Sequence, residues 1–193
     1  MKKMVIVLTV VMLIAGLVLA LSYSAFQPRI AANQAQALQE SLAALFQGSG
    51  KLTFTKLPID QPTIYVGKSA DGKTIGYAVR VSGSGYGGEI QMLIGVSTDL
   101  KKISGMQVVE NVETPGLGGR ITEDWFRKQF VGLNPDKQID YVKNVKPDPA
   151  KNEIEAITGS TISTRAVTTA LSKTLQQALP AILKADGVSG NSK

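Results

Sequence analysis

Between Met4 and Leu21 the chain reads MVIVLTVVMLIAGLVLAL, a run with no charged side chain. Wound as a helix, such a run is about 27 Å long, close to the hydrocarbon thickness of a bilayer. A single N-terminal transmembrane helix is therefore predicted. Lys2 and Lys3 precede it, and the next cation, Arg29, follows only after a polar stretch. Cations gather on the cytoplasmic side of a membrane, so the N-terminus is expected in the cytoplasm and the rest of the chain outside, on a single-pass anchor in the inner membrane. A cleaved signal peptide is the competing reading, since small residues occur near Ala20 and Ser22. The apolar run exceeds a usual signal core and lacks a clean small-x-small exit, which favours a retained anchor.

The inventory of side chains removes many functions. The chain has 193 residues, room for one domain with a core plus a short appendage. It has neither cysteine nor histidine, so disulfides, thiolate metal sites, iron–sulfur clusters, haem ligation through His and His-dependent triads are out of reach. A net charge of +6 invites a nucleic-acid reading. Lys and Arg are scattered singly or in pairs, however, and form no basic run interleaved with aromatics, so no nucleic-acid partner is expected.

Beyond the anchor, Ile30–Phe46 is rich in helix formers with an apolar stripe of Ala35, Leu38, Leu42, Leu45 and Phe46, and Gly48, Ser49 and Gly50 should end it. An irregular stretch follows. Strands are predicted over Thr63–Val66, Thr74–Ser82, Glu89–Val96 and Ile103–Val109, joined by short turns, which favours an antiparallel sheet. A short helix, Glu123–Phe130, is expected behind an N-cap at Thr122 and before Gly132. A longer helix, Arg165–Leu183, carries Val167, Leu171, Leu175, Ala178 and Ile182 on the face that should pack on the sheet. The fold class is α+β.

Three loops bear on chemistry. Gly83-Ser84-Gly85-Tyr86-Gly87-Gly88 fits G-x-G-x-x-G, but a dinucleotide fingerprint must open a helix and this one opens a strand, so it reads as a glycine-rich hairpin connection. Tyr86 at its tip is either an exposed loop aromatic or a contact for a flat ligand. Glu113-Thr114-Pro115-Gly116-Leu117-Gly118-Gly119-Arg120 holds more Pro and Gly than a strand-to-helix turn requires, as expected of a loop whose backbone approaches a ligand. Thr158-Gly159-Ser160-Thr161-Ile162-Ser163-Thr164 sets a cluster of hydroxyls just before a helix. A helix start carries unsatisfied N–H groups and a positive dipole end, a natural seat for phosphate; a cap alone needs one hydroxyl. It is not a P-loop, and without His or an S-x-x-K arrangement nothing activates a hydroxyl for hydrolysis.

Thr158-Gly159-Ser160-Thr161, continued by Ile162-Ser163-Thr164, resembles the S/T-G-A-T-x-S/T flavinylation motif of the FMN-binding domain found in the Rnf ion-translocating electron-transport complex, in its G subunit, and in the sodium-translocating NADH:quinone reductase, in its C subunit. Glu113–Gly118 (ETPGLG) is similar to a second signature of that family. Gly85–Val96, Trp125–Leu133 and the N-terminal anchor also resemble it, and the short chain favours the Rnf type.

The resemblance implies that Thr161 carries covalently bound FMN as a phosphodiester installed by a separate flavin transferase. It places Thr158, Gly159 and Ser160 around the phosphate, Thr164 at the adjoining helix end, and Thr114, Pro115, Gly116 and Leu117 against the flavin ring; Ser163, Glu113, Gly118 and Tyr86 are further candidate cofactor contacts. Ser160 stands where the family has Ala, and Glu155 where its transferase motif has Asp. The implied role is an electron carrier within a complex coupling ferredoxin and NAD oxidoreduction to Na+ or H+ movement, its partners being other integral membrane subunits; the isolated chain would not be a complete enzyme. The expected divisions are 1–27 for the cytoplasmic tip and anchor, 28–62 for a helical linker and irregular connection, 63–185 for the FMN-binding domain and 186–193 for a flexible tail. Two other readings stand beside this one: a stand-alone anchored flavoprotein reductase, and a non-redox anchored binding module.

Overall fold

The computed structural model describes residues 2–46 and 52–185. The expected helix break at Gly48–Gly50 and the expected tail at 186–193 lie outside those residues. The chain divides into two compact units, Met1–Leu38 and Gln39–Lys193.

The first unit is helical. Helix α1 spans Lys2–Ala44 without interruption, Pro28 included, so the anchor and linker helices expected separately form one element. Its apolar segment has a mean hydropathy of 3.1 and is not buried anywhere in the chain. Exposed apolar side chains all around a helix of this length match a bilayer rather than water. The last residues of α1 belong to the second unit, where Leu42 and Leu45 are fully buried.

The second unit is built on an antiparallel meander of β1 (Thr53–Lys56), β2 (Ile64–Lys68), β3 (Thr74–Ser84), β4 (Glu89–Ser97) and β5 (Ile103–Asn111), adjacent in space in that order. β3 and β4 pair from Gly76↔Ser97 to Ser84↔Glu89, so the Gly85–Gly88 segment is a hairpin turn, as its glycines predict. Side chains alternate across a strand: Ile90, Met92, Ile94 and Val96 of β4 enter the main core, while Leu93 points to the opposite face and is also fully buried. Burial on both faces explains why β4 is apolar almost throughout.

Behind the sheet lie α2 (Asp124–Lys128) and α3 (Thr161–Ala185). α3 buries Val167, Leu171, Leu175, Ala178 and Ile182, the face its periodicity announces. Its start differs from expectation. The helix begins at Thr161 rather than Arg165, because the Thr164 amide and hydroxyl both bond the Ser160 carbonyl, each at 3.1 Å, and pull the hydroxyl cluster into the first turn. Thr122 does not cap α2 either; its hydroxyl donates to the Gly119 carbonyl at 2.9 Å within a 3-10 turn, Gly118–Thr122, and Glu123 holds the cap position without a side-chain bond.

Strand β1 and a two-stranded parallel sheet of β6 (Asp140–Val142) and β7 (Glu153–Glu155) go beyond the sequence expectation. At three or four residues each, they are too short for periodicity to mark. A buried amide holds the small sheet in place: Asn152 Nδ2 donates to the carbonyls of Asn134, Lys137 and Gln138 at 3.0, 3.2 and 3.1 Å, and its Oδ1 accepts the Asn134 amide at 2.8 Å. Asn152 sits at φ 64, where Asn is tolerated better than most residues. Replacing Asn152 by Ala orphans several buried backbone groups at once and is expected to cost about 3 kcal/mol, read as a lowered Tm of the detergent-solubilised chain.

Candidate functional site

The first turn of α3, the β3–β4 turn and the loop after β5 converge on one cavity of about 460 Å3. That volume is within the ordinary range for cofactor sites. Its wall consists of Tyr86, Glu113, Thr114, Leu117, Gly118, Gly159, Ser160, Thr161, Ile162 and Ser163. A larger hollow of about 690 Å3 lies elsewhere, among residues that include Leu45, Phe46, Gly105 and Arg127. The helix start in its wall, that of the five-residue α2 at Asp124, presents a carboxylate rather than hydroxyls, a poor seat for an anion. The smaller cavity is the better candidate on chemistry.

Each wall segment is held by its own bonding. Ser160 donates its amide to the Ile157 carbonyl at 2.9 Å, and Gly159 turns the chain at φ 79, a conformation that suits glycine. Thr164 is fully buried, its hydroxyl donating to Ser160 and accepting the Ile157 amide at 3.1 Å. The Thr164 hydroxyl is thus committed to tying the Ile157–Ser160 turn to the helix. Thr161, one turn earlier, is half-buried in the cavity wall. The amides of Thr161, Ile162 and Ser163 precede the first intrahelical bond, as at any helix start, so donors and the positive end of the dipole meet at this spot.

Opposite the helix, Leu117 and Gly118 follow a tight turn in which the Leu117 and Gly119 amides bond the Thr114 carbonyl at 3.2 and 2.9 Å. Leu117, Ile162 and Tyr86 stay 47%, 47% and 74% exposed, so an apolar rim surrounds a polar helix end. Glu113 is buried beneath it and accepts hydrogen bonds from the Gly87 amide at 2.7 Å and from the Ser163 hydroxyl. Asp124 is held below the usual carboxylate range chiefly by its hydrogen bond with Arg127 and then by Lys128, and Asp99 by the Ser97 hydroxyl and the Lys101 amide.

Most of the residues singled out from sequence meet here. Tyr86, Glu113, Thr114, Leu117, Gly118, Gly159, Ser160, Thr161 and Ser163 share the wall; Thr158, Pro115, Gly116 and Thr164 flank it without lining it. Glu155 lies on β7 with its side chain exposed, while its backbone is pinned on both sides by the Gln129 side-chain amide, at 2.7 and 3.3 Å. Ile162 completes the wall and is not among the residues expected from sequence. An exposed apolar residue between hydroxyls is its only mark there.

A family model described as FMN-binding domain matches residues 85–176, a span that contains every wall segment. The G subunit of an ion-translocating oxidoreductase complex from Methanosarcina acetivorans is 34% identical over 175 residues, 88% of this chain and 89% of that protein. The chain belongs to the FMN-binding domain family. Another family member, the G subunit of the Na(+)-translocating ferredoxin:NAD(+) oxidoreductase complex from Acetobacterium woodii, is 40% identical over 114 residues, 58% of this chain and about half, 53%, of that protein. Among solved family structures, the C subunit of the Na(+)-translocating NADH-quinone reductase from Parabacteroides distasonis superposes with a TM-score of 0.55 at 27% identity, covering 61% of each chain.

The residues present fit FMN. A helix start suits its phosphate, the apolar rim suits a flat ring, and the Cβ that any other residue would add at Gly118 would fill the space beside Glu113 and Ser163. The buried tie and the wall hydroxyl are separable by mutation. Thr164→Val should cost about 1–2 kcal/mol by orphaning the buried Ile157 amide, whereas Thr161→Ala should stay within about 0.5 kcal/mol of the wild type, both read by thermal unfolding of the flavin-free chain.

Proposed function

We propose that this chain carries one FMN, esterified through its phosphate to Thr161, and serves as an electron-carrying member of a membrane complex that couples ferredoxin and NAD oxidoreduction to Na+ or H+ movement. The observation that carries the reading is the placement of Thr161: the half-buried residue lies in the wall of the cavity, at the start of a helix whose free amides suit a phosphate. FMN when bound supplies the electron acceptance and donation that no side chain of this chain offers. The protein's share is binding, orientation and electrostatics. The amides at the start of α3 hold the phosphate, Leu117, Ile162 and Tyr86 offer apolar contact to the ring, and the exposed rim leaves the site open toward a partner.

A covalent bond has a physical rationale here. On the extracytoplasmic side a dissociated flavin is lost by dilution, whereas a tether keeps the local concentration at the site high. Helix α1 performs the corresponding task for the domain 63–185, confining it to the inner membrane with Lys2 and Lys3 in the cytoplasm. The ion path itself belongs to other integral membrane subunits, because the apolar run of α1 carries no ionisable group. A separate flavin transferase reads the segment around Glu155 and Thr161. The carboxylate at 155 is accessible, and its pinned backbone presents it at a fixed place.

Peptide mass spectrometry on protein from its native membrane should find the Thr161 peptide heavier by one FMN less one water. Thr161→Ala should abolish both that addition and in-gel flavin fluorescence; an unmodified Thr161 in cells with an active transferase would overturn the assignment. Glu155→Ala should lower flavin occupancy several-fold without changing Tm, and Glu155→Asp should retain it. Mild extraction should bring other integral membrane subunits along, and a protease added to right-side-out vesicles should digest the domain while sparing the N-terminus.

A further inference from the structure

Glu113 opens the glycine-rich loop, yet its side chain turns inward and only 6% of the residue is exposed. Burying a carboxylate is unfavourable unless its oxygens are bonded. Both are: Oε1 accepts the Gly87 amide at 2.7 Å, and Oε2 accepts the Ser163 hydroxyl. The Glu113 amide is itself fixed by Asn111 Oδ1 at 3.1 Å. The two acceptor oxygens therefore reach segments 26 and 50 residues away in sequence, the turn that carries Tyr86 and the helix start that carries Thr161.

The neighbours make room for this arrangement. A Cβ at Gly85 would overlap Oε1, and a Cβ at Gly118 would overlap Oε2 and crowd the Ser163 hydroxyl. No ion pair to Glu113 is present among the described residues, so backbone and hydroxyl donors alone compensate its burial.

We infer that Glu113 is a positioning residue: a three-way brace that locks the Tyr86 turn and the first turn of α3 to the loop between them, shaping the flavin cavity before any cofactor enters. This rests on the proposed occupation of that cavity by FMN, but the brace itself belongs to the flavin-free fold and is measurable there. In this role Glu113 acts on the flavin through Tyr86 and Thr161 rather than as a ring ligand.

The amide analogue separates geometry from charge. In Glu113→Gln the carboxamide oxygen still accepts the Gly87 amide, and the new NH2 donates to the Ser163 hydroxyl; in Glu113→Ala both bonds vanish. In the full chain in detergent micelles, selectively labelled at glycine, hydrogen exchange of the Gly87 amide should accelerate about tenfold or more in Glu113→Ala and stay near wild type in Glu113→Gln. In chain matured with flavin, steady-state anisotropy of the flavin should drop in Glu113→Ala and recover in Glu113→Gln. Ser163→Ala cuts one arm only, so it should lower the anisotropy while leaving Gly87 protected, and it stands in should Glu113→Ala not fold.

Unchanged Gly87 exchange in Glu113→Ala would overturn the brace. So would a positive shift of the flavin midpoint potential that is equal in the Gln and Ala variants with no change in anisotropy, for then charge and not position is what Glu113 supplies. A wild-type chain without flavin at Thr161 defeats the proposed function instead, and the exchange measurement still decides the brace.

Discussion

The close approach of α3 to β3 sets everything around the cavity. At Gly83 an added Cβ would lie 2.9 Å from the Ala170 side chain and 3.1 Å from the Ala166 carbonyl, nearer than packed atoms tolerate. Glycine on the strand and alanines on the helix let the two backbones meet along the last stretch of β3, directly before the turn that carries Tyr86. Helix position, turn position and the space between them thus follow from one small-residue contact. The rest of the α3 face, from Val167 to Ile182, fastens the helix into the core and keeps its first turn at the cavity.

The cavity divides its labour between neighbours of similar chemistry. Thr164 and Thr161 stand three residues, about one turn, apart, yet one is sealed against Ile157 and Ser160 and the other lines the cavity. Ser163 faces Glu113 and Ser160 supplies its carbonyl to the helix start. A cluster of hydroxyls that looks redundant in sequence is therefore resolved into a buried tie at Thr164, a partner for Glu113 at Ser163 and a cavity-lining side chain at Thr161, with Ile162 adding apolar surface between them.

Elements long enough to repeat a period are legible from the sequence: the apolar run of α1, the alternation and turns of β3 to β5, and the buried face of α3. Elements set by single contacts are not. β1, β6 and β7 are too short to carry a period, and α3 starts earlier than the sequence suggests because Ser and Thr rank low as helix formers although the Thr164 bonds to Ser160 hold them helical. At the site, the residues of the two motifs can be named from sequence, but Glu113 cannot be distinguished there from its loop neighbours. Its inward turn depends on Gly87 and Ser163, and nothing local to residues 113–118 encodes that meeting.

The three wall segments, near residues 86, 113–118 and 159–163, also impose an order in time. Ribosomal synthesis delivers the hydroxyl-bearing segment after the other two, so all five strands of the meander are made while the cavity still lacks one side. The bowl closes only when α3 has docked, and the same docking covers the inner face of the sheet, so receptacle and core are completed together. A filled site would consequently report that α3 has docked on the sheet.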